Sequence, residues 1–271
     1  MNGKRIDYHI HTRRCGHAEG EMNEYVEQAY KLGLAEIAFT DHIPIQHPVL
    51  EEHCMDRNEL DGYVDEVLGL RKSWDGDIII RLGLEADFAE GYEEYVQDIL
   101  DAYPFDLVLG SVHTMDGWGV DNEDYISRFE QGNVEEIFYA YFTHVEKAVR
   151  TGMFDVMAHP DLIKKFAYFP EIDDYSDLYV GALDAIAGMG VAMEVNSSGF
   201  RKPAGEQYPD KTFISEAVRR GVKCVTGSDA HAPGEVGMDF DRMYGLLQGE
   251  GITDLLTFDR RKRGVISIID T

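Results

Sequence analysis

Apolar residues follow two different periods along this chain, and the two periods alternate. Short apolar runs of strand length, such as residues 36–40, are followed by stretches in which apolar side chains recur about every three or four residues. In residues 22–32, for example, Met22, Val26 and Ala29 would lie on one face of a helix. The pattern therefore predicts strands and amphipathic helices in turn.

About seven such alternations run through the chain. The predicted strands are residues 7–11, 36–40, 78–84, 106–112, 154–158, 191–196 and 223–228. The predicted helices are residues 22–32, 58–74, 92–102, 134–150, 174–187 and 211–220, and the last segments are 236–248 and 265–269. Residues 117–132 are polar and glycine-containing, which is typical of a long functional loop.

This alternation favours one parallel α/β fold, because no linker rich in Pro, Gly or Ser and no break in composition divides the chain. No G-x-G-x-x-G follows the first predicted strand, so a dinucleotide-binding sheet has little support. We predict a single domain, residues 1–271, folded as an irregular (β/α)7 barrel whose functional site lies at the C-terminal ends of the strands.

Charge and composition narrow the functional classes. The formal net charge is -26 at pH 7, which disfavours a nucleic-acid binder, and the run 260–263 is the one basic cluster and is typical of a solvated helix end. No stretch approaches the roughly 20 apolar residues of a membrane span, and the first strand begins too early for a signal peptide. The 3 cysteines are odd in number and widely spaced, so we expect reduced thiols in a cytoplasmic protein.

Histidines carry the candidate chemistry. His9 and His11 point to the same side of the first strand, because side-chain direction along a strand has a period of two. Of the 10 histidines, most fall at predicted strand ends or in the loops just after, together with two acidic residues. This candidate ligand set is His9, His11, His17, His42, Glu85, His113, His159, Asp229 and His231.

Imidazoles and carboxylates without clustered thiolates suit zinc, manganese or iron. The set exceeds what one ion needs, so we infer two or three divalent ions. Cys15 lies near the first histidines in sequence and is either an additional ligand or an ordinary buried thiol. Asp41 and Asp161 adjoin histidines, and we expect them to orient imidazoles rather than to be plain turn residues.

Cations near the same strand ends would favour an anionic substrate. Lys164 follows the His159 motif, and Arg201 follows a predicted strand end, so both are candidate substrate contacts, against the alternative that they are merely solvated. Asn196 and Ser197 could donate hydrogen bonds from the same rim.

These motifs together resemble the polymerase-and-histidinol-phosphatase (PHP) superfamily of metallohydrolases, over nearly the whole chain. The resemblance rests on His9-x-His11, His17, Thr40-Asp41-His42, Gly83-Leu84-Glu85, Ser111-Val112-His113, Ala158-His159-Pro160-Asp161 and Ser228-Asp229-Ala230-His231. The chain length and the segment Cys15-Gly16-His17-Ala18 look most like the PHP-type histidinol-phosphate phosphatases.

The resemblance implies an assignment of ligands to ions. It implies a first ion held by His9, His11, Glu85 and Asp229, a second held by Glu85, His113 and His159, and a third held by His17, His42 and His231. Glu85 would bridge the first two ions.

The implied activity is hydrolysis of L-histidinol phosphate to L-histidinol and phosphate in histidine biosynthesis. We expect in-line attack by a metal-bound hydroxide without a phosphoenzyme, with Glu85, Asp229 and His231 as the catalytic residues. The leaving alkoxide would be stabilised by the third ion or protonated by water, Asp229 or a nearby histidine.

Two other functions stay open at this point. One is a PHP phosphoesterase acting on another small phosphate monoester or a nucleotide, and the other is a non-catalytic metal-binding protein. The sequence indicates no oligomeric state.

Overall fold

The computed structural model describes residues 3–172 and 174–269, so the predicted domain limits at residues 1 and 271 lie outside the described residues. In chain order the strands are β1 (Ile6–Ile10), β2 (Glu36–Phe39), β3 (Ile79–Asp87), β4 (Leu107–Ser111), β5 (Thr114–Met115), β6 (Trp118–Gly119), β7 (Val156–Met157), β8 (Ala192–Asn196), β9 (Cys224–Gly227), β10 (Asp254–Asp259) and β11 (Lys262–Ser267). The helices are α1 (Met22–Lys31), α2 (Leu60–Ser73), α3 (Glu93–Ala102), α4 (Ile126–Gln131), α5 (Val134–Arg150), α6 (Ser176–Met189), α7 (Lys211–Arg219) and α8 (Phe240–Gly249).

Seven of the described strands form one parallel sheet in the order β1-β2-β3-β4-β7-β8-β9. The last strand returns to the first: the His11 N–H donates to the Ala230 carbonyl at 3.0 Å, and the Thr226 hydroxyl donates to the Ile6 carbonyl at 2.6 Å. The sheet therefore curls into a nearly closed barrel, and the predicted (β/α)7 fold is confirmed.

Helices cover the outside of the barrel, and their apolar faces meet the strands in one buried core. Helix α5 has the bounds that its apolar period predicts, and Asn133 caps it by accepting the N–H groups of Glu135 and Glu136. The face of α5 that turns inward packs against α6, where the rings of Phe142 and Tyr179 lie 5.6 Å apart. No helix in the described part of the chain is long and apolar enough to cross a membrane.

Two regions differ from the predicted elements. Residues 117–132 contain β6 and α4 rather than only a loop. The basic run 260–263 is not a helix end, because β10 and β11 pair as an antiparallel hairpin and place it at their turn. Arg260 and Arg261 occupy positive φ there, with φ of 50° and 63°, as a tight turn requires.

Candidate metal centre

The candidate ligands converge at one end of the barrel because the strands are parallel. Their carboxyl ends share a rim, and His11, His159 and Asp229 come just after β1, β7 and β9. Strand β3 continues further than its apolar run predicts, so Glu85 lies inside it, and its carbonyl accepts the Ile43 N–H at 2.8 Å. This register places the Glu85 side chain at the centre of the rim.

The Glu85 carboxylate has imidazoles around both of its oxygens. Its Oε2 lies 3.2 Å from His9 Nε2 and 3.5 Å from His11 Nε2. Its Oε1 lies 2.9 Å from His159 Nε2 and 3.6 Å from His113 Nε2. A carboxylate whose two oxygens face different ligands has the geometry of a bridge between two ions.

The Asp229 carboxylate lies next to the imidazoles of His9 and His11. Its Oδ1 lies 3.2 Å from His11 Nε2 and 3.7 Å from His9 Nε2. The backbone at Asp229 and at His159 has positive φ, 54° and 24°, which non-glycine residues seldom adopt. Such backbone conformations are typical of sites where side-chain direction is functionally constrained.

The remaining imidazoles lie closer to solvent. His17 Nε2 and His231 Nε2 face each other at 3.0 Å, and His42 Nδ1 lies 3.1 Å from Glu85 Oε2. The Cys15 thiol is buried within 4.8 Å of the ligand nitrogens of His17 and His231, so its role as an additional ligand stays a prediction.

Fixed acceptors orient four of the imidazoles through their Nδ1 atoms. Glu194 Oε1 lies 2.8 Å from His9 Nδ1, and Asp87 Oδ1 lies 2.7 Å from His113 Nδ1. Backbone carbonyls lie 2.9 Å from His17 Nδ1 and 3.0 Å from His231 Nδ1. Because these oxygens only accept, each Nδ1 carries a proton and each Nε2 is the nitrogen turned to the centre.

Unpaired polar atoms at the centre fit a divalent cation. His9 Nε2, His11 Nε2 and Glu85 Oε2 are buried and have no hydrogen-bond partner among the described residues, although buried polar atoms are normally paired. Their separations of 3.2 and 3.5 Å match the edge of a tetrahedron of ligands about 2.0–2.1 Å from an ion. The donor set is therefore compatible with bound metal.

The electrostatics keep the two carboxylates ionised and His231 neutral. Burial alone would raise the pKa of Glu85, but the surrounding imidazoles, His9 first among them, hold that pKa well below its usual range. The pKa of Asp229 is lowered in the same way despite its burial. Burial and the neighbouring imidazole of His11 lower the pKa of His231 to about 3, so His231 is neutral at pH 7.

A cavity of about 800 Å³ opens above this centre and has room for a small substrate. Of the predicted substrate contacts, Arg201 lines it, and the Arg201 guanidinium is held by the Ser228 carbonyl at 2.8 Å and lies 3.6 Å from the Asp239 carboxylate. Lys165 also lines the cavity and pairs with Asp121 at 3.0 Å. The sequence did not predict Lys165 as a substrate contact, because the adjacent Lys164 follows the same His159 motif and was the residue chosen.

The structure does not support the prediction that Lys164 contacts substrate, because Lys164 is not among the residues that line the cavity. Its side chain is buried, and its ammonium binds Asp161 at 2.8 Å, Glu206 at 2.9 Å and the Gln207 carbonyl at 2.9 Å. The same contact corrects the role expected for Asp161, which pairs with this ammonium and not with an imidazole. Asp41, in contrast, lies 3.5 Å from His11 Nδ1, close to its expected position.

Asn196 and Ser197 are also not among the residues that line the cavity, so the structure does not support their predicted substrate contacts. Both are fully buried. The Asn196 amide donates to Glu194 at 3.1 Å, and the Ser197 hydroxyl donates to the Met238 carbonyl at 2.7 Å. A polar residue at a strand end can turn inward, and these two support the barrel rim rather than line it.

Comparisons with known proteins show which proteins this chain is similar to. Residues 7–198 match the family model described as PHP domain. A Deinococcus radiodurans protein named "Probable histidinol-phosphatase" is 39% identical over 257 residues, covering 94% of this chain and 97% of that protein. The Bacillus subtilis protein named histidinol-phosphatase is 29% identical over 262 residues, covering 87% of this chain and 96% of that protein.

A solved structure extends the likeness to three dimensions. The crystal structure of Lactococcus lactis histidinol phosphate phosphatase, complexed with zinc, L-histidinol and phosphate, matches with a TM-score of 0.82 and 25% sequence identity. The match covers 96% of this chain and 99% of that chain.

Proposed function

This chain belongs to the PHP domain family, and on that premise we propose that it is a metal-dependent phosphomonoesterase that hydrolyses L-histidinol phosphate to L-histidinol and phosphate. The reaction is a step of histidine biosynthesis, and its class is phosphoric monoester hydrolysis. We also propose a cytoplasmic location, in keeping with three cysteines that are all free.

One observation carries the proposal: the two oxygens of a single buried carboxylate, Glu85, face different imidazoles, with His9, His11 and His42 around Oε2 and His113 and His159 around Oε1. Phosphate monoesters hydrolyse extremely slowly without help, because the dianion repels a nucleophile. A bridging carboxylate would hold two cations close together below a substrate-sized cavity, and this arrangement suits such an ester better than it suits a closed structural site.

We assign the first position to His9, His11, Glu85 and Asp229, and the second to Glu85, His113 and His159. A third position would use His17, His42 and His231. When bound, the ions supply positive charge for phosphoryl oxygens and lower the pKa of coordinated water. Zinc is supported by the Lactococcus lactis complex, and manganese or iron would suit the same donors.

The residues of the chain have separate tasks in this proposal. Glu194 and Asp87 fix two imidazoles through Nδ1, so that Nε2 faces the centre. Arg201, on the cavity wall, supplies a fixed positive charge that attracts an anion into an otherwise acidic protein. The side chain of Asp229 is 18% exposed, and its Oδ1 lies 3.6 Å from His231 Nδ1. In this proposal the leaving oxygen is stabilised by the third ion or receives its proton from water, Asp229 or a nearby histidine.

The test is phosphate release from a small panel by the purified chain, first stripped of metal and then loaded separately with Zn²⁺, Mn²⁺ or Fe²⁺. The panel is L-histidinol phosphate, an aryl phosphate and a nucleoside monophosphate. We expect kcat/KM for L-histidinol phosphate to exceed the others by at least about tenfold. The variant E85Q should lose activity, whereas E135Q, the same change at an exposed helix position, should not.

The alternatives predict different results. Equal rates on the aryl phosphate would overturn the substrate while leaving the chemistry in place, and a preference for the nucleotide would favour another phosphoesterase. Stoichiometric metal binding with no phosphate release from any ester would indicate a non-catalytic metal-binding protein.

A further inference from the structure

Tyr208 is held rigidly beside the end of strand β8. Its carbonyl accepts the Asn196 N–H at 2.6 Å, and its own N–H donates to the Asn196 carbonyl at 2.9 Å. The loop carrying Tyr208 is therefore paired to the same rim that carries the candidate metal ligands. Asn196, expected from the sequence to contact substrate, instead fixes a residue that lines the cavity.

The Tyr208 ring is enclosed on three sides. The imidazole of His159 lies against it at a centroid distance of 6.5 Å and an angle of 78°, and the buried Lys164 ammonium lies 5.5 Å from the ring centroid. On the third side is Gly199, where an added Cβ would come within 3.0 and 3.1 Å of ring carbons. Little freedom is left for the ring, so the direction of its hydroxyl is set by packing.

The Tyr208 hydroxyl has nothing to bind within the described protein. The residue is fully buried, yet its oxygen has no hydrogen-bond partner in residues 3–172 and 174–269. A buried hydroxyl without a partner is costly, so it is a feature that a ligand would satisfy. A tyrosine hydroxyl carries its proton at neutral pH, so it can donate a hydrogen bond.

We propose that the Tyr208 hydroxyl donates a hydrogen bond to a phosphoryl oxygen of the substrate, an inference that rests on the proposed function. Of the substrate's two charged groups, the phosphoryl oxygens accept hydrogen bonds, whereas the ammonium group only donates them. The phosphoryl group must also reach the metal centre, and one of the proposed ligands of that centre is His159, whose ring lies next to the Tyr208 ring. The hydroxyl and Arg201 would then hold the phosphate from the cavity side.

Tyr179 offers a matched control. Its hydroxyl is likewise buried and unpaired within the described residues, but its ring packs 4.8 Å from Phe213 between helices, away from the residues that line the cavity. Replacing either tyrosine by phenylalanine removes one unpaired hydroxyl and keeps the ring. The two variants therefore differ in whether the tyrosine that loses its hydroxyl is one of the residues that line the cavity.

The experiment compares the metal-loaded wild type, Y208F and Y179F in three measurements: kcat/KM for L-histidinol phosphate, the dissociation constant for inorganic phosphate by calorimetry, and metal content. A hydrogen bond to a charged group supports an expected loss of about 10- to 100-fold in kcat/KM for Y208F, with phosphate binding weakened in parallel. Metal content and thermal midpoint should match those of Y179F, which should behave as wild type.

Two results would overturn the inference. One is a Y208F variant whose kcat/KM and phosphate affinity equal those of Y179F. The other is a loss explained by missing metal, which would make Tyr208 a support of the centre and not a substrate contact. Failure of the wild type to hydrolyse L-histidinol phosphate would count against the proposed function instead, and the phosphate-binding comparison would still test Tyr208.

Discussion

Glu194 offers a sharp test of how the first candidate position is built. It is fully buried and receives three hydrogen bonds: from His9 Nδ1 at 2.8 Å, from the His159 N–H at 2.8 Å and from the Asn196 amide at 3.1 Å. The substitution E194Q keeps the shape of the side chain but replaces one acceptor oxygen by an NH₂ group. The N–H groups of His9, His159 and Asn196 would then face a glutamine side chain with one acceptor oxygen and one NH₂ donor. At least one hydrogen bond to His9 or His159 would therefore be lost.

The expected magnitude follows from these contacts. A hydrogen bond involving a charged group contributes about 1.5–3 kcal/mol, and the loss of a carboxylate that orients a ligand imidazole typically costs about 10- to 100-fold in metal affinity or activity. We therefore expect E194Q to bind metal about 10- to 100-fold more weakly than wild type. Activity should recover partly when metal is added in excess, because the Glu85 and Asp229 ligands remain.

The assay is a chelator competition that gives the metal dissociation constant, run together with activity against metal concentration. E135Q serves as the control, since Glu135 is exposed near the start of α5. An E194Q protein that is folded, fully loaded and fully active at limiting metal would refute the orienting role of Glu194.

Three further predictions concern the same centre. E85Q should lower metal content and phosphate release together, and near-wild-type rates at full metal content would contradict the bridge. G227A should impair metal loading, because the added methyl carbon would lie 2.0 Å from Glu194 Oε1. G245A should not impair it, since nothing lies within 4 Å of a methyl carbon added there. Equal metal loading of the two variants would count against the close packing of Gly227 on Glu194. Burial alone would lower the pKa of His113, but nearby carboxylates, Asp87 first among them, raise that pKa to about 10. Metal must therefore displace a proton from His113, so metal affinity should rise with pH up to about that value. Calorimetry in two buffers of different ionisation enthalpy should detect the released proton.

The spacing of apolar residues predicted much of the barrel, because strands and helices have different periods that can be read from the sequence. The His9-x-His11 pair, Glu85 and Asp229 could be predicted to lie close together, because residues at the ends of parallel strands meet on one rim. Helix α5 has its predicted bounds, since its apolar stripe and its Asn133 cap agree. Where local signals agree in this way, tertiary structure has little to change.

The roles of Lys164, Glu194 and Tyr208 were not predicted, because they depend on the direction in which each side chain points, and the spacing of residues in the sequence does not specify that direction. Lys164 turned inward to Asp161 and Glu206, although many lysines after a strand end are solvated. Glu194 could have been suspected, because an acidic residue inside an otherwise apolar strand needs a buried partner. Tyr208 carried no local signal, since its position depends on pairing with Asn196 across the barrel rim.

Titration of metal into the stripped chain, with bound metal and phosphate release from L-histidinol phosphate measured on the same samples, tests the central claim most directly. A centre bridged by Glu85 predicts little activity until about two equivalents of metal are bound per chain, followed by a steep rise. Full activity in the metal-free chain, or a maximum reached at a single bound equivalent, would contradict the account.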